Sequence, residues 1–269
     1  MENQRIQYLY VDSKNRSEQF GNAYSLYLPD VIHGVTRVDL VSARVPNTMY
    51  NLSNGSNDIK YNGTTLAIPP GFYSATTLST YIGYASAVGG VQNLTVEYLA
   101  GEGKFIFYQN SNFTINVLSQ EMSLLLGLPI GQYTGINNSP YYINHPTYGS
   151  KYVIKSQNVI NLSVNEYLFL DIEELRTQYT LDTKSLNGLP GIFDGTTMAR
   201  SFAMVPMDIA SGGIKCFKEH TDYIMSIVYT KPIDSLAKLT IRWVDKDGSV
   251  VSFNGVDNNS FTLRIFSNH

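Results

Sequence analysis

The sequence predicts a mainly β chain, a β-sandwich interrupted by a small α/β module. Three observations carry this reading. Apolar and polar residues alternate at period two through most of the chain. The alternating runs are short and separated by Gly, Pro, Asn and Asp, as in a sandwich and unlike a succession of β and α units. Helical spacing is confined to two stretches between residues 74 and 127, with one further helical turn in "DIEELRT". At 269 residues the chain suits one large β domain or two smaller ones.

The elements follow in order. "QYLYV" is a short β run, after which a polar stretch leads to "YSLYL". In "VTRVDLVSARV", Val35, Val38 and Leu40 read as strand residues, with Thr36, Arg37 and Asp39 between them. Pro46 closes that run, because it lacks an N–H and holds Ala43–Val45 extended. "YNLSNGSND" is turn chemistry throughout. A hairpin is predicted about Asn62-Gly63, where positive φ is cheapest. Ser74 is a good N-cap for "ATTLSTYIGYASA", which places Leu78, Ile82 and Ala85 along one face and stops at Gly89-Gly90. "NLTVEYLAGEGKFIFYQNSNFTINVL" reads as three short strands, and "SQEMSLLLGL" as a brief helix ending near Gly127. Residues 56–130 are therefore expected to form a compact module with its own core. Residues 131–150 read as loop. Strands are then expected in "KYVIKSQNVINLSVNEYLFLDI", "SFAMVPMDI", "GIKCFKE", "YIMSIVYT", "KLTIRWVD", "SVVSFNG" and "SFTLRIF".

Only 15% of residues are charged, against roughly 25% in an average globular chain. Asn, Ser, Thr, Gly and Tyr take their place, with 20 tyrosines to one tryptophan. Such a surface suits burial against neighbours, although an AT-rich genome produces the same bias. The net charge of −3 and the lack of a basic stripe argue against nucleic-acid binding. No apolar run reaches the ~20 residues that span a bilayer. The first residues lack the apolar core of a signal peptide, so synthesis inside a cell is expected, and the Asn-x-Ser/Thr sites at Asn51, Asn62, Asn93, Asn112 and Asn161 read as by-products of composition.

Catalytic patterns are weak. His33, His145, His220 and His269 are scattered and form no paired ligand motif. Cys216, the single cysteine, rules out an intrachain disulfide and reads as a buried structural residue. On a strand it would stand ~13 Å from His220, too far for a nucleophile and base. Asp245, Asp247 and Asp257 invite a calcium reading, but the closing Glu of such a loop is missing and "KDGS" fits a tight turn better. Asp171, Glu173 and Glu174 are neighbours in sequence, unlike an opposed catalytic pair, and read as a solvated edge. No phosphate loop, nucleophile elbow or dinucleotide fingerprint occurs. The expectation is a protein that is not an enzyme and needs no cofactor or metal.

One resemblance gives the opening residues a meaning. Asp12-Ser13 and Arg16, then Leu26, Leu28, Pro29 and Ile32, then Val38, Leu40, Ala43, Pro46-Asn47-Thr48 and Tyr50-Asn51 follow a pattern D-S-x-x-R, L-x-L-P-x-x-I, V-x-L-x-x-A-x-x-P-N-T/S-x-Y-N. This start resembles penton and minor capsid proteins of large eukaryotic DNA viruses, virophages and Polinton-like viruses. "PPGFYSATTLSTYI" and "LLLGLP" look like the inserted segment of such proteins. The resemblance covers the first half of the chain by motif and the second half in style only.

What it implies is a jelly-roll β-sandwich built from residues 1–55 and 131–269, with 56–130 as the inserted α/β module. Residues 1–20 would be an extended arm reaching neighbouring capsid proteins. The chain would be a structural virion protein, closing an icosahedral vertex as a homopentamer beside major and minor capsid proteins. A ring needs two different complementary faces on each subunit. Candidate interface residues are Tyr8, Tyr10 and Arg16 on the arm, Arg44 and Tyr50 at the polar end of the first long run, and Tyr141 and Tyr142 in the later loop. The alternatives are another virion interaction protein (minor capsid, spike or receptor-binding component) and a carbohydrate-binding sandwich, for which Tyr141, Tyr142 and Tyr148 would supply the aromatic platform.

Overall fold

The computed structural model describes residues 4–16, 21–53, 58–88, 94–137, 147–148, 150–163, 166–176, 201–256 and 258–268. The chain divides into two compact units, residues 1–49 with 165–269, and residues 50–164. The second unit lies in sequence between the two segments of the first, and its bounds differ from the expected 56–130. It begins at residue 50 and takes in 131–164, because the strands of that stretch pair with the module's own strands.

The first unit is a jelly-roll sandwich. Its strands are β1 (Gln4–Asp12), β2 (Ala23–Pro46), β11 (Tyr167–Ile172), β12 (Ala203–Pro206), β13 (Ile214–Lys218), β14 (Met225–Val244) and β15 (Ser260–Asn268). They join antiparallel in the order β1-β15-β2-β14-β11-β12, with β13 also on β2. Two long strands serve both layers. The first half of β2 pairs with the second half of β14, from Ala23↔Arg242 to Tyr27↔Lys238. The second half of β2 lies between β15 on one side and β14 and β13 on the other. Each long strand bends where its register slips: Leu28–Val31 bulge from β2, and Tyr229–Pro232 from β14. Pro29 and Pro232 sit in these bulges, where the absent N–H costs no ladder bond. The runs "YIMSIVYT" and "KLTIRWVD", expected as two strands, are thus one bent strand, and "YSLYL" and "VTRVDLVSARV" likewise belong to one.

The inner faces bury Val38, Leu40, Leu263 and Ile265 from one layer and Ile241, Trp243, Leu168 and Leu170 from the other. Trp243 and Phe261 meet edge to face at 6.5 Å across this core. A buried polar hub closes its end. Asn259, 1% exposed, accepts through Oδ1 from the Tyr24 hydroxyl at 3.0 Å and the Trp243 Nε1–H at 2.9 Å. Its backbone exchanges two 2.9 Å hydrogen bonds with Ser13, and Asp12 caps the 3-10 turn at Ser13–Asn15 by accepting from the Lys14 N–H. The Asp-Ser of the N-terminal motif is therefore a device for fastening β1 to the start of β15.

That fastening overturns the extended arm. Residues 4–12 pair with β15 over nine consecutive positions, from Gln4↔Asn268 to Asp12↔Ser260, because the alternation in "QRIQYLYVD" makes a strand with one inner face. "SVVSFNG" forms no strand beyond a single bridge from Val250 to Val244. Val251 and Phe253 are nonetheless buried.

The second unit holds β3 (Asp58–Tyr61), β4 (Thr64–Ala67), α1 (Ala75–Val88), β5 (Thr95–Leu99), β6 (Lys104–Gln109), β7 (Thr114–Val117), α2 (Gln120–Leu126), β8 (Gly131–Thr134), β9 (Ile136–Asn137) and β10 (Tyr152–Lys155). They form two sheets, β5-β6-β10-β9 and β4-β3-β7-β8. The hairpin turns at Asn62 (φ 48°) and Gly63 (φ 82°), as the dipeptide predicts. Ser74 Oγ accepts from the Thr77 N–H at 3.1 Å to start α1, and Ser119 Oγ does the same for Met122 in α2. Gly127 ends α2 in the left-handed conformation. Leu78 and Ile82 pack with Phe105, Phe107, Ile115 and Leu126 in a separate core. Residues 131–137, expected as loop, are mostly strand because Gln132 and Tyr133 find partners on β7.

Candidate interaction surface

The outward face of the β1-β15-β2 layer gathers most of the candidate residues that the structure describes. The register sets four rows across it. Ile6, Phe266, Arg37 and Val228 form the first, and Tyr8, Arg264, Asp39 and Ser226 the second. Tyr10, Thr262, Ser42 and Lys218 form the third, and Asp12, Ser260, Arg44 and Cys216 the fourth. Strand alternation puts all of these on one side. Ile6, Tyr8, Tyr10 and Val228 are 52%, 65%, 63% and 67% exposed, a margin of large apolar side chains open to contact.

The middle of the face is ionic and sealed. Asp39 is fully buried although it points outward. Arg37 grips it from two residues away with Nε at 2.7 Å and Nη2 at 3.1 Å. Arg264 grips it from the next strand at 2.9 and 2.6 Å, and turns its other edge to Glu219 at 2.9 and 2.8 Å. Burial alone would raise the Asp39 carboxyl, but the hydrogen bonds from Arg37, Ser226 and Arg264 outweigh it and hold the group below the usual carboxylate range. The same bond to Asp39 keeps Arg264 charged more firmly than usual. Arg37 lies over the Phe266 ring at 4.8 Å, so the guanidinium is fixed from two sides. A rigid, charge-neutralised plate flanked by aromatic and aliphatic side chains is suited to contact, not to proton transfer.

Arg44 is exposed on the fourth row of this face, and the other candidates lie elsewhere. Arg16 is half-buried after the 3-10 turn, where its N–H donates to the Ser13 carbonyl. Tyr50 belongs to the second unit, 44% exposed beside a cavity of about 160 Å³ that Glu121, Leu124 and Asn161 also line. Tyr141 and Tyr142 lie outside the described residues, as do His145 and His269. Tyr148 is buried and donates to Glu97 at 2.6 Å, which removes it from any exposed aromatic platform.

Two readings of single residues change. Cys216 is exposed, because β13 turns Lys215 and Phe217 inward instead. Asp171 is no solvated edge: it is 5% exposed and takes two hydrogen bonds each from Arg176 and Arg242. Burial would raise its carboxyl, and these guanidinium contacts bring it below the ordinary range instead. Glu174 accepts from the Thr240 N–H and hydroxyl. The Asp245 loop is a turn, its Oδ1 accepting from the Asp247 and Ser249 N–H groups. Among the described residues no three His, Cys, Asp or Glu side chains are grouped to hold a metal, and no helix is long and apolar enough to cross a membrane.

The sequence missed Ile6, Arg37, Asp39, Val228, Arg264 and Phe266 as members of this face. Their period-two spacing was visible, but which parity faces out depends on strand partners far away in sequence, such as Phe266 for Arg37 and Arg37 for Val228.

The Pro-Asn-Thr-x-Tyr-Asn motif also acquires a physical role. Asn47 donates to the Ile209 carbonyl at 2.7 Å and Thr48 to the Phe253 carbonyl at 2.5 Å. Asn51 donates to the Tyr73 and Leu162 carbonyls and accepts from the Tyr73 N–H. Short polar side chains here pin loop backbones, which is one use for a composition poor in charge.

No family model matches the sequence, and no curated protein is similar to it. Among solved structures, the chain is similar in fold to the selenomethionine-labelled mavirus penton protein. The TM-score is 0.51 at 8% sequence identity, over 98% of this chain and 100% of that one.

Proposed function

We propose that the chain is a penton capsomer protein, a structural component of a virion that closes icosahedral vertices as a homopentamer. The observation that carries this is the end-to-end likeness to a viral penton protein, which spans both units of the chain. The surface supports it. A cyclic ring needs two unlike faces on each subunit, and the first unit has them. One layer turns out Val228 beside a neutralised ionic plate of Arg37, Asp39, Arg264 and Glu219, whereas the other turns out Tyr27, Lys238 and Arg242. The role is structural and not enzymatic; the partners are further copies of the chain and the neighbouring major and minor capsid proteins, and the location is the capsid.

Native mass spectrometry over a concentration series tests the ring. Discrete particles of five 30.0 kDa chains, or of multiples of five, are expected. A trimer would shift the assignment to a spike, and a monomer at every concentration would remove self-closure.

A further inference from the structure

β1 is the longest strand that pairs along one side only among the described residues. Exposed sheet margins are normally guarded by Lys, Pro, a bulge or a very short strand, because unpaired N–H and C=O groups recruit other strands. β12 follows that rule with four residues ending in Pro206, and β2 and β14 carry Pro29 and Pro232. β1 does not. Its nine residues, QRIQYLYVD, contain neither Lys nor Pro and pair with β15 without a bulge, and their only charges, Arg5 and Asp12, lie toward the two ends and leave the middle unguarded. Among the described residues nothing pairs with this margin along its whole length.

We propose that β1 pairs antiparallel with β1 of a second copy of the chain, about a two-fold axis at Tyr8. A two-fold normal to the sheet brings together side chains of the same face, so even positions meet even and odd meet odd. Centring on Tyr8, the midpoint of the strand, engages all nine residues. Tyr8 then faces Tyr8, Ile6 faces Tyr10, Gln7 faces Leu9, Arg5 faces Val11 and Gln4 faces Asp12. No like charges meet, and the outward face gains aromatic–aromatic and aromatic–aliphatic pairs, the combinations that stabilise antiparallel neighbours. Sliding the axis to Gln7 or Leu9 leaves two residues of each strand unpaired. The pairing shelters the three exposed large apolar side chains of the strand, Ile6, Tyr8 and Tyr10. Because this contact is isologous it stands apart from the ring: it joins two monomers or two rings, and does not rest on the pentamer.

Disulfide trapping tests it. In a Cys216→Ser background, Tyr8→Cys should form a crosslinked dimer on mild oxidation, since residues directly opposite lie within disulfide reach. Tyr10→Cys alone should stay uncrosslinked, and Tyr10→Cys mixed with Ile6→Cys should crosslink only as the heterodimer. Tyr8→Glu, which sets two anions face to face across the two-fold while leaving Arg264 an opposite charge within its own monomer, should weaken self-association roughly tenfold in sedimentation without lowering the melting temperature. No Tyr8→Cys crosslink, or equal crosslinking by all three single variants, would overturn the pairing. So would protection of β1 amides that appears only when another virion protein is added. Failure of the pentamer is read independently, from masses not divisible by five.

Discussion

Asn259→Ala tests the polar hub that closes the jelly roll. The substitution keeps both backbone hydrogen bonds to Ser13 and deletes the side-chain acceptor shared by Tyr24 and Trp243. Those two donors are 4% and 0% exposed, so water cannot replace the acceptor without entering the core. A buried donor left unsatisfied costs about 1–3 kcal/mol. The lost bond from Asn259 Nδ2 to Asn22, at 3.3 Å, is long and adds little. For the two donors the sum is about 2–6 kcal/mol, which for a unit of this size lowers Tm on the order of 10 °C. Trp243 is the only tryptophan, so its fluorescence follows the first unit alone. Tyr24→Phe removes a donor without orphaning Asn259, and should cost about 1 kcal/mol. In the Asn259→Ala background the same change should cost less, since the hydroxyl there has already lost its partner. A loss below about 1 kcal/mol for Asn259→Ala, against the cost of an orphaned donor, or strict additivity of the pair, would refute the hub.

Acid should weaken the first unit. Asp39, Asp171 and Asp222 all have carboxyls lowered in the fold against opposing burial, by Arg37 and Arg264, by Arg176 and Arg242, and by Lys215. The unfolded chain therefore binds more protons, so the stability these groups contribute is full above about pH 4–5 and is lost as pH falls through their folded values. Asp39→Asn should flatten the acid limb of a Tm-against-pH curve, and a wild-type curve flat down to about pH 2 would contradict the ion-pair account. Gly34→Ala should destabilise by at least about 1–2 kcal/mol from the left-handed backbone alone. Gly34 has φ 61°, and an added Cβ would stand 2.9 Å from the Asn268 carbonyl oxygen. An unchanged melting temperature would show that β2 does not depend on the left-handed backbone at Gly34.

The sequence by itself determined the fold class and the local devices. Asn62-Gly63, Ser74, Gly127 and the Asp245 turn act through atoms a few residues away, so residue type suffices to place them. Pro46 likewise closes the long run where its missing N–H says it must. The tertiary structure decided everything that depends on a distant partner. The module's limit at residue 164 follows from β8 and β10 finding β7 and β6, not from any change in composition. β1 became part of the sheet, not an arm, because β15, some 250 residues later, supplies its partner. "IKCFK" shows the reason most clearly. Hydropathy would bury Ile214 and Cys216, yet both face solvent, while Lys215 is buried with Asp208 at 2.8 Å and Asp222 at 2.6 Å. Alternation fixes that neighbours face opposite ways; which way is set by the charges and core that the rest of the chain brings to each side.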